Sequence, residues 1–385
     1  MVEPFFKAKF DPKKRTEMNL HLDCLIVGSG ITGAVIARKL TDAGCSVLVL
    51  ERRTHLGGNV HDHLHASGIR IHTYGPHYFR TSSKRIWAFV TRFSDFYKYE
   101  PALKSWVDGR YENWPITVNY IRRFVGENWK PAFCGTPANF EEAALALMPK
   151  LVYEKFVKNY NEKQWGVPPA TLSANLLKRF DVRADDEPRL TRHRYQGLPK
   201  EGYAMLMQRM LDGIPVLLNC DYLAARHQFS GQKWTVFTGP IDGYFANDLG
   251  HLKYRGQQRA HQYYPDVHYI QPCGQVNNPD PVNGPHIRTM EWKHMMESSC
   301  AKGIRGTVLT QEVPITVDDP NDLEYPFPNA ANAKLYETYR KRAEGIPRLT
   351  ICGRLGEYRY YDMDQAVGRA MVLAERILKS ISMLQ

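Results

Sequence analysis

The stretch DCLIVGSGITGAVIARKLTDAGCSVLVLE, residues 23 to 51, decides the fold. DCLIVG has the pattern of a short buried strand, the glycine turn leads into an amphipathic helix that ends at Gly44, and CSVLVLE has the pattern of a second strand. In this order the three elements predict a βαβ unit and therefore a doubly wound α/β fold of the Rossmann type.

The turn inside this unit predicts a dinucleotide site. Gly28, Gly30 and Gly33 form a GxGxxG pattern, which allows a tight turn, close approach of the backbone to a pyrophosphate and close packing of the helix. The N-terminus of that helix faces the phosphates. Glu51 ends the second strand, where a carboxylate can accept a hydrogen bond from a ribose hydroxyl.

The residues after Glu51 favour FAD over NAD. RRTHLGGN, residues 52 to 59, adds a glycine pair a few positions beyond the acid, where backbone would again pass close to the pyrophosphate. We predict Gly58 and Asn59 among the cofactor contacts. Gly239, Gly353 and Gly356 fit later approaches of backbone to the same cofactor.

Composition limits the class of partner. The net charge is +11 with a pI of about 9.2, which favours an anionic ligand, but no RNP-type motif or basic helical stripe indicates nucleic acid. The chain has neither an apolar run of about 20 residues nor a secretory signal, so we expect a cytoplasmic protein without a membrane span. The seven cysteines lack metal-ligand spacing, so we expect reduced thiols and no metal site.

The pattern along the chain suggests several parts. Residues 1–18 are predicted to be a flexible basic extension, and 181–202 a long surface loop near a ligand. Pro149 is expected to split a helical run, and strands are expected at PVLLNC, KWTVFTG, VHYIQPC, HIRTMEWKHM and GTVLTQEVPI. The predicted domains are an FAD-binding domain (19–82, 203–245 and 345–385), an inserted helical domain (83–160) and a substrate domain built on an antiparallel sheet (161–202 and 246–344).

Arginines and tyrosines on separate segments give the chain a resemblance to a known family. The residues are Arg183, Tyr195, Arg288, Tyr325 and Tyr360. With the motifs YGPHYF, KQWG, YQGLP, EYPFP and GRLGEYRYYDMD, they make the chain resemble the bacterial UDP-galactopyranose mutases from about residue 22 to its end. These flavoenzymes interconvert the pyranose and furanose forms of a nucleotide sugar.

The resemblance implies a role for each of these positions. Arg183 and Arg288 would bind the substrate diphosphate with the hydroxyls of Tyr195, Tyr325 and Tyr360. Guanidinium forks and phenols suit a leaving group whose negative charge grows. Phe156 and Tyr160 would hold the uracil, Trp165 would lie at the pocket edge, Asn278 would also contact substrate, and residues 166–183 would form a mobile lid. His77 and Arg354 would lie against the flavin, with Asp362 contacting the cofactor or orienting Tyr360 or an arginine.

The resemblance also implies a mechanism and an assembly. Reduced FAD would attack the anomeric carbon of a UDP-sugar through N5 without net redox change, with NADH or NADPH as the reductant. The product would be a galactofuranose-type precursor for polysaccharide biosynthesis, and the enzyme would be a homodimer.

Departures from the family lie at the sugar end. Arg80 stands where a histidine is usual, Pro101 where an asparagine is usual, and His286 and Ile287 replace a tyrosine–threonine pair. Because of these changes the sugar itself stays open. Two other readings also stay open: a flavin oxidoreductase of the amine-oxidase type, which shares the FAD fingerprint, and a catalytically silent nucleotide-sugar binder.

Overall fold

The computed structural model describes residues 22–383, so the predicted extension at 1–18 lies outside the described residues. The strands are short apart from two long ones: β1 Cys24–Val27, β2 Val47–Leu50, β3 Asp62–Leu64, β4 Arg70–His72, β5 Phe79–Thr81, β6 Phe96–Lys98, β7 Leu103–Val107, β8 Arg110–Trp114, β9 Ile116–Thr117, β10 Val182–Arg183, β11 Tyr195–Pro199, β12 Val216–Leu217, β13 Trp234–Phe237, β14 Tyr254–Tyr264, β15 Gln275–Asn277, β16 Arg288–Glu291, β17 Thr307–Thr316, β18 Tyr325–Pro326 and β19 Leu349–Ile351.

The helices range from one turn to about five turns. The α-helices are Ile31–Asp42, Lys84–Val90, Val118–Val125, Phe140–Leu145, Lys150–Tyr153, Asn159–Trp165, Tyr203–Met210, Tyr222–Ala225, Ile241–Tyr244, Ser298–Lys302, Ala330–Glu344, Gly353–Gly356 and Met363–Ser382. A π-helical segment, Glu154–Lys158, lies between two of them, and the 3-10 helices are Gly58–Val60, Pro169–Thr171, Ala174–Arg179, Arg226–Gln228, Pro281–Asn283 and Trp292–Met295. None of the helices within 22–383 is both long and apolar enough to cross a membrane.

A parallel five-stranded sheet forms the first part of the fold. Its order is β12-β2-β1-β13-β19, and each neighbouring pair is parallel. The helices Ile31–Asp42 and Met363–Ser382 cover one face with small and aliphatic side chains, while Tyr222, Phe229 and Phe237 belong to the core on the other face. Because both faces are covered, the strands are apolar throughout. This confirms the predicted Rossmann-type α/β fold.

A seven-stranded sheet forms the second part. Its order is β18-β14-β17-β16-β15-β7-β8, and all neighbouring pairs are antiparallel except β15 with β7. The antiparallel pair β14 and β17 forms its longest ladder, from Arg255 opposite Thr316 to Tyr264 opposite Thr307. A three-stranded sheet, β5-β11-β6, lies elsewhere in the fold.

Several local predictions need correction. The range 83–160 contains the predicted helices but also four strands, β6 to β9. VHYIQPC is not a strand, because the amides of Ile270 and Gln271 donate to the buried carboxylate of Glu291. Pro149 does separate two helices, as predicted, and stands at the N-cap of the second.

Candidate functional site

Two neighbouring cavities share part of their lining. The first, of about 190 Å³, lies at the carboxyl ends of the parallel strands, where ligands bind in open α/β folds. The second, of about 1220 Å³, extends over the seven-stranded sheet towards the helical segment. Asn59, His77 and Arg354 line both cavities, so one ligand in each would make contact at these residues.

Glycines shape the first cavity. Gly28 has φ +100°, and a Cβ placed on it would stand 2.1 Å from Oγ1 of Thr238. A Cβ on Gly58 would stand 3.0 Å from the Cα of Gly30, so the two glycine loops approach each other closely at the cavity wall. Gly33 does not line the cavity; its Cβ would stand 2.0 Å from the carbonyl oxygen of Gly28, which shows that it packs the helix on the turn.

Glu51 lines the first cavity and also holds the turn in shape. Its Oε2 accepts hydrogen bonds from the Ser29 amide at 2.8 Å and the Ser29 hydroxyl at 2.7 Å, and its Oε1 accepts one from the Arg53 amide at 2.9 Å. A carboxylate has about four acceptor positions, so one remains for a ligand hydroxyl. The sequence indicated the ribose role but not the structural one.

A loop from the second sheet closes over the first cavity. Arg52 donates to Oδ1 of Asn321 at 2.9 Å and to the Pro320 carbonyl at 2.7 Å, and Arg53 donates to the Asn321 carbonyl. Pro320 lines the cavity beside both arginines. These two arginines therefore link the parallel sheet to the loop between β17 and β18.

A buried row of alternating charges lies along the second sheet, and two of its members, Arg288 and Glu324, line the second cavity. Arg288 and Arg259 are each the direct cross-strand partner of Glu312, so the three side chains share one face of the sheet. Glu312 pairs with both guanidiniums, and Arg259 also holds Glu324 through two bonds of 2.8 and 2.9 Å. No sequence motif marked Arg259, Glu312 or Glu324, because they are single polar residues on alternating strands.

The pKa values in this row follow from burial and pairing. Burial would raise the pKa of Glu312, but Arg288 and Arg259 outweigh it and hold that pKa below its ordinary value. Burial raises the pKa of Glu324, which Arg259 only partly offsets. Burial also disfavours the charged form of Arg288, yet Glu312 drives its pKa well above the usual range. Among the described side chains, Glu312 accepts a hydrogen bond from Nε of Arg288 and from neither of its terminal nitrogens, so both terminal nitrogens can donate to a ligand.

Arg354 organises the predicted tyrosine pair. It donates to the Glu324 carbonyl at 3.2 Å and to the Tyr361 carbonyl at 3.0 Å, which are the neighbours of Tyr325 and Tyr360 in the chain. The rings of Tyr325 and Tyr360 lie parallel, 6.1 Å apart with an 8° interplanar angle, and the Arg354 guanidinium stands 4.7 Å from the Tyr360 ring centre. The structure thus brings Arg288, Tyr325 and Tyr360 to one cavity, as the sequence predicted.

Three aromatic residues line the far end of the second cavity. Phe156 lies in the π-helical segment and packs edge-on against Tyr120 at 4.9 Å. Trp165 ends the next helix and packs edge-on against Phe327 at 5.8 Å. Tyr160 lies between them in the chain, and all three predicted residues reach this cavity.

Arg183 lines the second cavity, but its guanidinium is already engaged. It donates to the Glu187 carbonyl at 3.0 Å, the Leu190 carbonyl at 2.8 Å, the Arg189 carbonyl, and the Asp181 carboxylate at 3.3 Å. Four of its five donors are therefore used within its own loop. These contacts support a role in shaping residues 184–190 and do not support the prediction of a phosphate ligand.

Two further predicted residues do not reach either cavity. Tyr195 stacks on Trp87 with ring centres 5.3 Å apart and an interplanar angle of 11°, which turns it away from the cavity. Asn278 is buried, and its amide donates to the His286 carbonyl at 3.0 Å. The sequence could not indicate these orientations, because both depend on neighbours distant along the chain.

His77 and Asp362 have defined structural partners. Nδ1 of His77 lies 2.7 Å from the Gly75 carbonyl, and burial lowers the pKa of His77 to about 3, so the imidazole is neutral. Asp362 caps the last helix and pairs with Arg80 at 3.1 Å. It lines the second cavity, not the first, which places it away from the predicted cofactor contact.

The departures at the sugar end divide in the same way. Arg80 and Ile287 line the second cavity, whereas Pro101 and His286 do not. Within residues 22–383, no group of three His, Cys, Asp or Glu side chains could hold a metal ion.

The sequence is similar to known proteins. Residues 155–360 match the family described as UDP-galactopyranose mutase, and residues 26–93 match an NAD(P)-binding Rossmann-like domain. The chain is 31% identical over 373 residues to a probable UDP-galactopyranose mutase from Klebsiella pneumoniae, covering 93% of this chain and 95% of that one. It is 29% identical over 378 residues to a dTDP-fucopyranose mutase from Escherichia coli, covering 92% of this chain and 98% of the relative.

Solved structures share the fold. A reduced UDP-galactopyranose mutase superposes with a TM-score of 0.71 at 15% identity, covering 93% of this chain and 96% of that one. A cyclohexylamine oxidase from Brevibacterium oxydans superposes with a TM-score of 0.62 at 12% identity, covering 94% and 100% of the two chains.

Proposed function

The chain belongs to the UDP-galactopyranose mutase family and is a sugar pyranose–furanose mutase, and we propose that it acts on a UDP-hexose with reduced FAD as the nucleophile. One observation carries the proposal: a glycine-walled cavity at the end of a Rossmann sheet meets a larger cavity that contains an unsaturated arginine fork. A dinucleotide in the first would contact a nucleotide sugar in the second at His77 and Arg354.

The residues of the first cavity fit FAD. A Cβ would collide with its neighbours at Gly28 and would be tightly placed at Gly58, so these glycines keep the backbone bare where it must approach a pyrophosphate. Glu51 keeps one acceptor position for a ribose hydroxyl. Asn59, His77 and Arg354 line the passage between the cavities, where the flavin ring would lie. When bound, reduced FAD would supply the N5 nucleophile that takes the anomeric carbon as UDP leaves.

The protein's own contribution is to grip the diphosphate. The free nitrogens of Arg288 form a fork suited to phosphate oxygens, and Tyr325 and Tyr360 add phenol hydroxyls without adding charge. Glu312 and Arg259 fix Arg288 before substrate arrives, so the donors need no reorganisation as charge develops on the leaving group.

The lid is proposed to supply a second arginine. Residues 166–183 contain two, Arg179 and Arg183. Arg183 is occupied by its own loop, so we assign the diphosphate role to Arg179, which ends the 3-10 helix Ala174–Arg179. This revises the assignment that the sequence suggested.

The far end of the second cavity is proposed to bind uracil between Phe156, Tyr160 and Trp165, whose rings supply flat apolar faces. The substrate is proposed to be UDP-galactose or the UDP derivative of a modified hexose, because Arg80 and Ile287, which depart from the family pattern, line the second cavity. We further propose NADH or NADPH as reductant, a cytoplasmic homodimer, and a product used in polysaccharide biosynthesis.

The test is a turnover assay. Dithionite-reduced protein is incubated with UDP-galactose and its N-acetyl and deoxy analogues, with the dTDP counterparts in parallel, and products are separated by HPLC. Furanose formation by the reduced protein, absent from the oxidised protein, is the expected result. Oxygen or NADP consumed in proportion to product would instead indicate the oxidoreductase, and binding of UDP-sugars without interconversion would indicate a silent binder.

A further inference from the structure

Lys163 has an environment unusual for a surface lysine. Its ammonium lies 2.5 Å from the Asn278 carbonyl, 2.9 Å from the His286 carbonyl, and 3.3 Å from the carbonyls of Asp280 and Gly284. An ammonium has three N–H donors, so four carbonyls surround it in the manner of a bound cation. All four belong to one loop.

This loop leads directly to Arg288, which is proposed to bind the diphosphate. It connects β15 to β16, and Asn277 and Arg288 are cross-strand partners at its base. The backbone N–H of Asn278 donates to the Ile287 carbonyl at 2.7 Å, which closes the hairpin. Any shift of residues 278–286 would therefore be passed to Arg288.

The other end of Lys163 is attached to the proposed base site. Lys163 lies in the helix Asn159–Trp165, three residues after Tyr160 and two before Trp165. Its side chain thus joins the helix that carries these aromatic rings to the hairpin that carries Arg288.

The same helix is held from a second direction. Arg255 on β14 donates through Nε to the Gln164 carbonyl at 2.9 Å and through Nη2 to the Lys163 carbonyl at 3.4 Å. Gln257 donates to Oε1 of Gln164 at 2.9 Å. Arg255 and Gln257 fix the helix end to β14, whereas Lys163 fixes it to the β15–β16 hairpin.

We propose that Lys163 is a positioning residue that sets the distance between the base-binding aromatic rings and Arg288, so that one UDP molecule can contact both. The inference rests on the proposed function, since it assumes that these two groups bind the two ends of UDP. Lys163 itself touches no substrate.

The test compares Lys163→Met, Lys163→Arg and the control Lys150→Met. Lys150 begins the helix Lys150–Tyr153, which precedes the π-helical segment, and its side chain is 76% exposed. UDP affinity is measured by isothermal titration calorimetry, and amide exchange of residues 279–286 by mass spectrometry. Lys163→Met should weaken UDP about tenfold, or about 1.4 kcal/mol, and should speed exchange in the loop. Lys163→Arg keeps a cation with N–H donors, so its UDP affinity should stay within about threefold of wild type, and Lys150→Met should match wild type.

Chemical rescue distinguishes positioning from general damage. In Lys163→Ala, adding n-propylammonium should raise the UDP affinity at least threefold, because it replaces the missing carbons and the charge. Adding n-propanol should not. Wild-type UDP affinity in Lys163→Met would overturn the inference. Failure of the wild-type protein itself to bind UDP would contradict the proposed function. The role of Lys163 would then be judged by amide exchange alone, and unchanged exchange of residues 279–286 in Lys163→Met would refute it.

Discussion

Replacing Arg183 and Arg179 separately distinguishes the two candidates for the lid arginine. Arg183→Met keeps the aliphatic stem but removes three bonds to backbone carbonyls. The loop is half-exposed, so water replaces part of each bond, and about 1 kcal/mol per bond is appropriate. The free energy of unfolding should therefore fall by about 3 kcal/mol. Unfolding entropy for 385 residues is roughly 0.8 kcal/mol per K, so the melting temperature should fall by about 4 °C.

Arg179→Met should mainly affect the rate. A phosphate-binding arginine acts most strongly when the leaving group carries its full charge, so its loss should lower kcat/KM about a thousandfold, or about 4 kcal/mol. Arg183→Met should lower kcat/KM by less than about tenfold. The assays are initial rates of the reduced enzyme by HPLC and thermal unfolding by differential scanning fluorimetry.

The control for both variants is Arg192→Met. Arg192 lies in the same loop with a 58% exposed side chain and pairs with Asp185, so rate and melting temperature should both be unchanged. A thousandfold rate loss in Arg183→Met at an unchanged melting temperature, with near-normal turnover in Arg179→Met, would refute the reassignment.

Three further predictions concern other parts of the site. Arg288→Ala should abolish turnover while the absorbance spectrum of bound flavin persists, because Arg288 lines the second cavity and not the first; loss of flavin would contradict this. Glu51→Gln should weaken FAD binding about tenfold, measured by flavin release, because its amide nitrogen cannot accept from Ser29 or Arg53 as the carboxylate oxygens do. Burial lowers the pKa of His72 and His77 to about 3, so below about pH 6.5 these histidines bind protons in the unfolded chain but not in the folded one. The free energy of unfolding should therefore fall as the pH drops from 6.5 towards 3, by about 2.7 kcal/mol per pH unit from this pair. Denaturant titrations between pH 6.5 and 4.5 would measure this pH dependence. If His72→Asn left the slope of unfolding free energy against pH unchanged, the prediction would be wrong.

The Rossmann unit could be predicted because its signals are local. The glycines, the apolar strands and the helix all lie within residues 23–51, and their roles do not depend on distant parts of the chain. β14 could not be predicted, although it is one of the longest strands. Arg255, Gln257 and Arg259 share one face of this strand and are polar because they bond to the helix Asn159–Trp165 and to a buried carboxylate, so the usual apolar alternation is missing.

The site was only partly predictable for a related reason. A motif can indicate that an arginine is near a phosphate, but not which way its guanidinium points. Arg183 and Arg288 look alike in the sequence, yet carbonyls of the loop that follows Arg183 surround its guanidinium, whereas a single carboxylate orients that of Arg288. What decides between them is the cross-strand pairing of Arg288 with Glu312, which appears only when β16 and β17 are placed side by side.

The buried charge row also suits a reaction in which the leaving group must return. An isolated buried guanidinium would bind a diphosphate very tightly, because nothing else would offset its desolvation. Here Glu312 takes the Nε of Arg288, and Arg259 is shared between Glu312 and Glu324, so two cations and two carboxylates alternate. The row holds the Arg288 fork in place while reducing its net attraction for anions. In the proposed mechanism UDP must be stabilised as it departs but stay available for the reverse step, and a rigid fork of moderated charge meets both requirements better than a free arginine would.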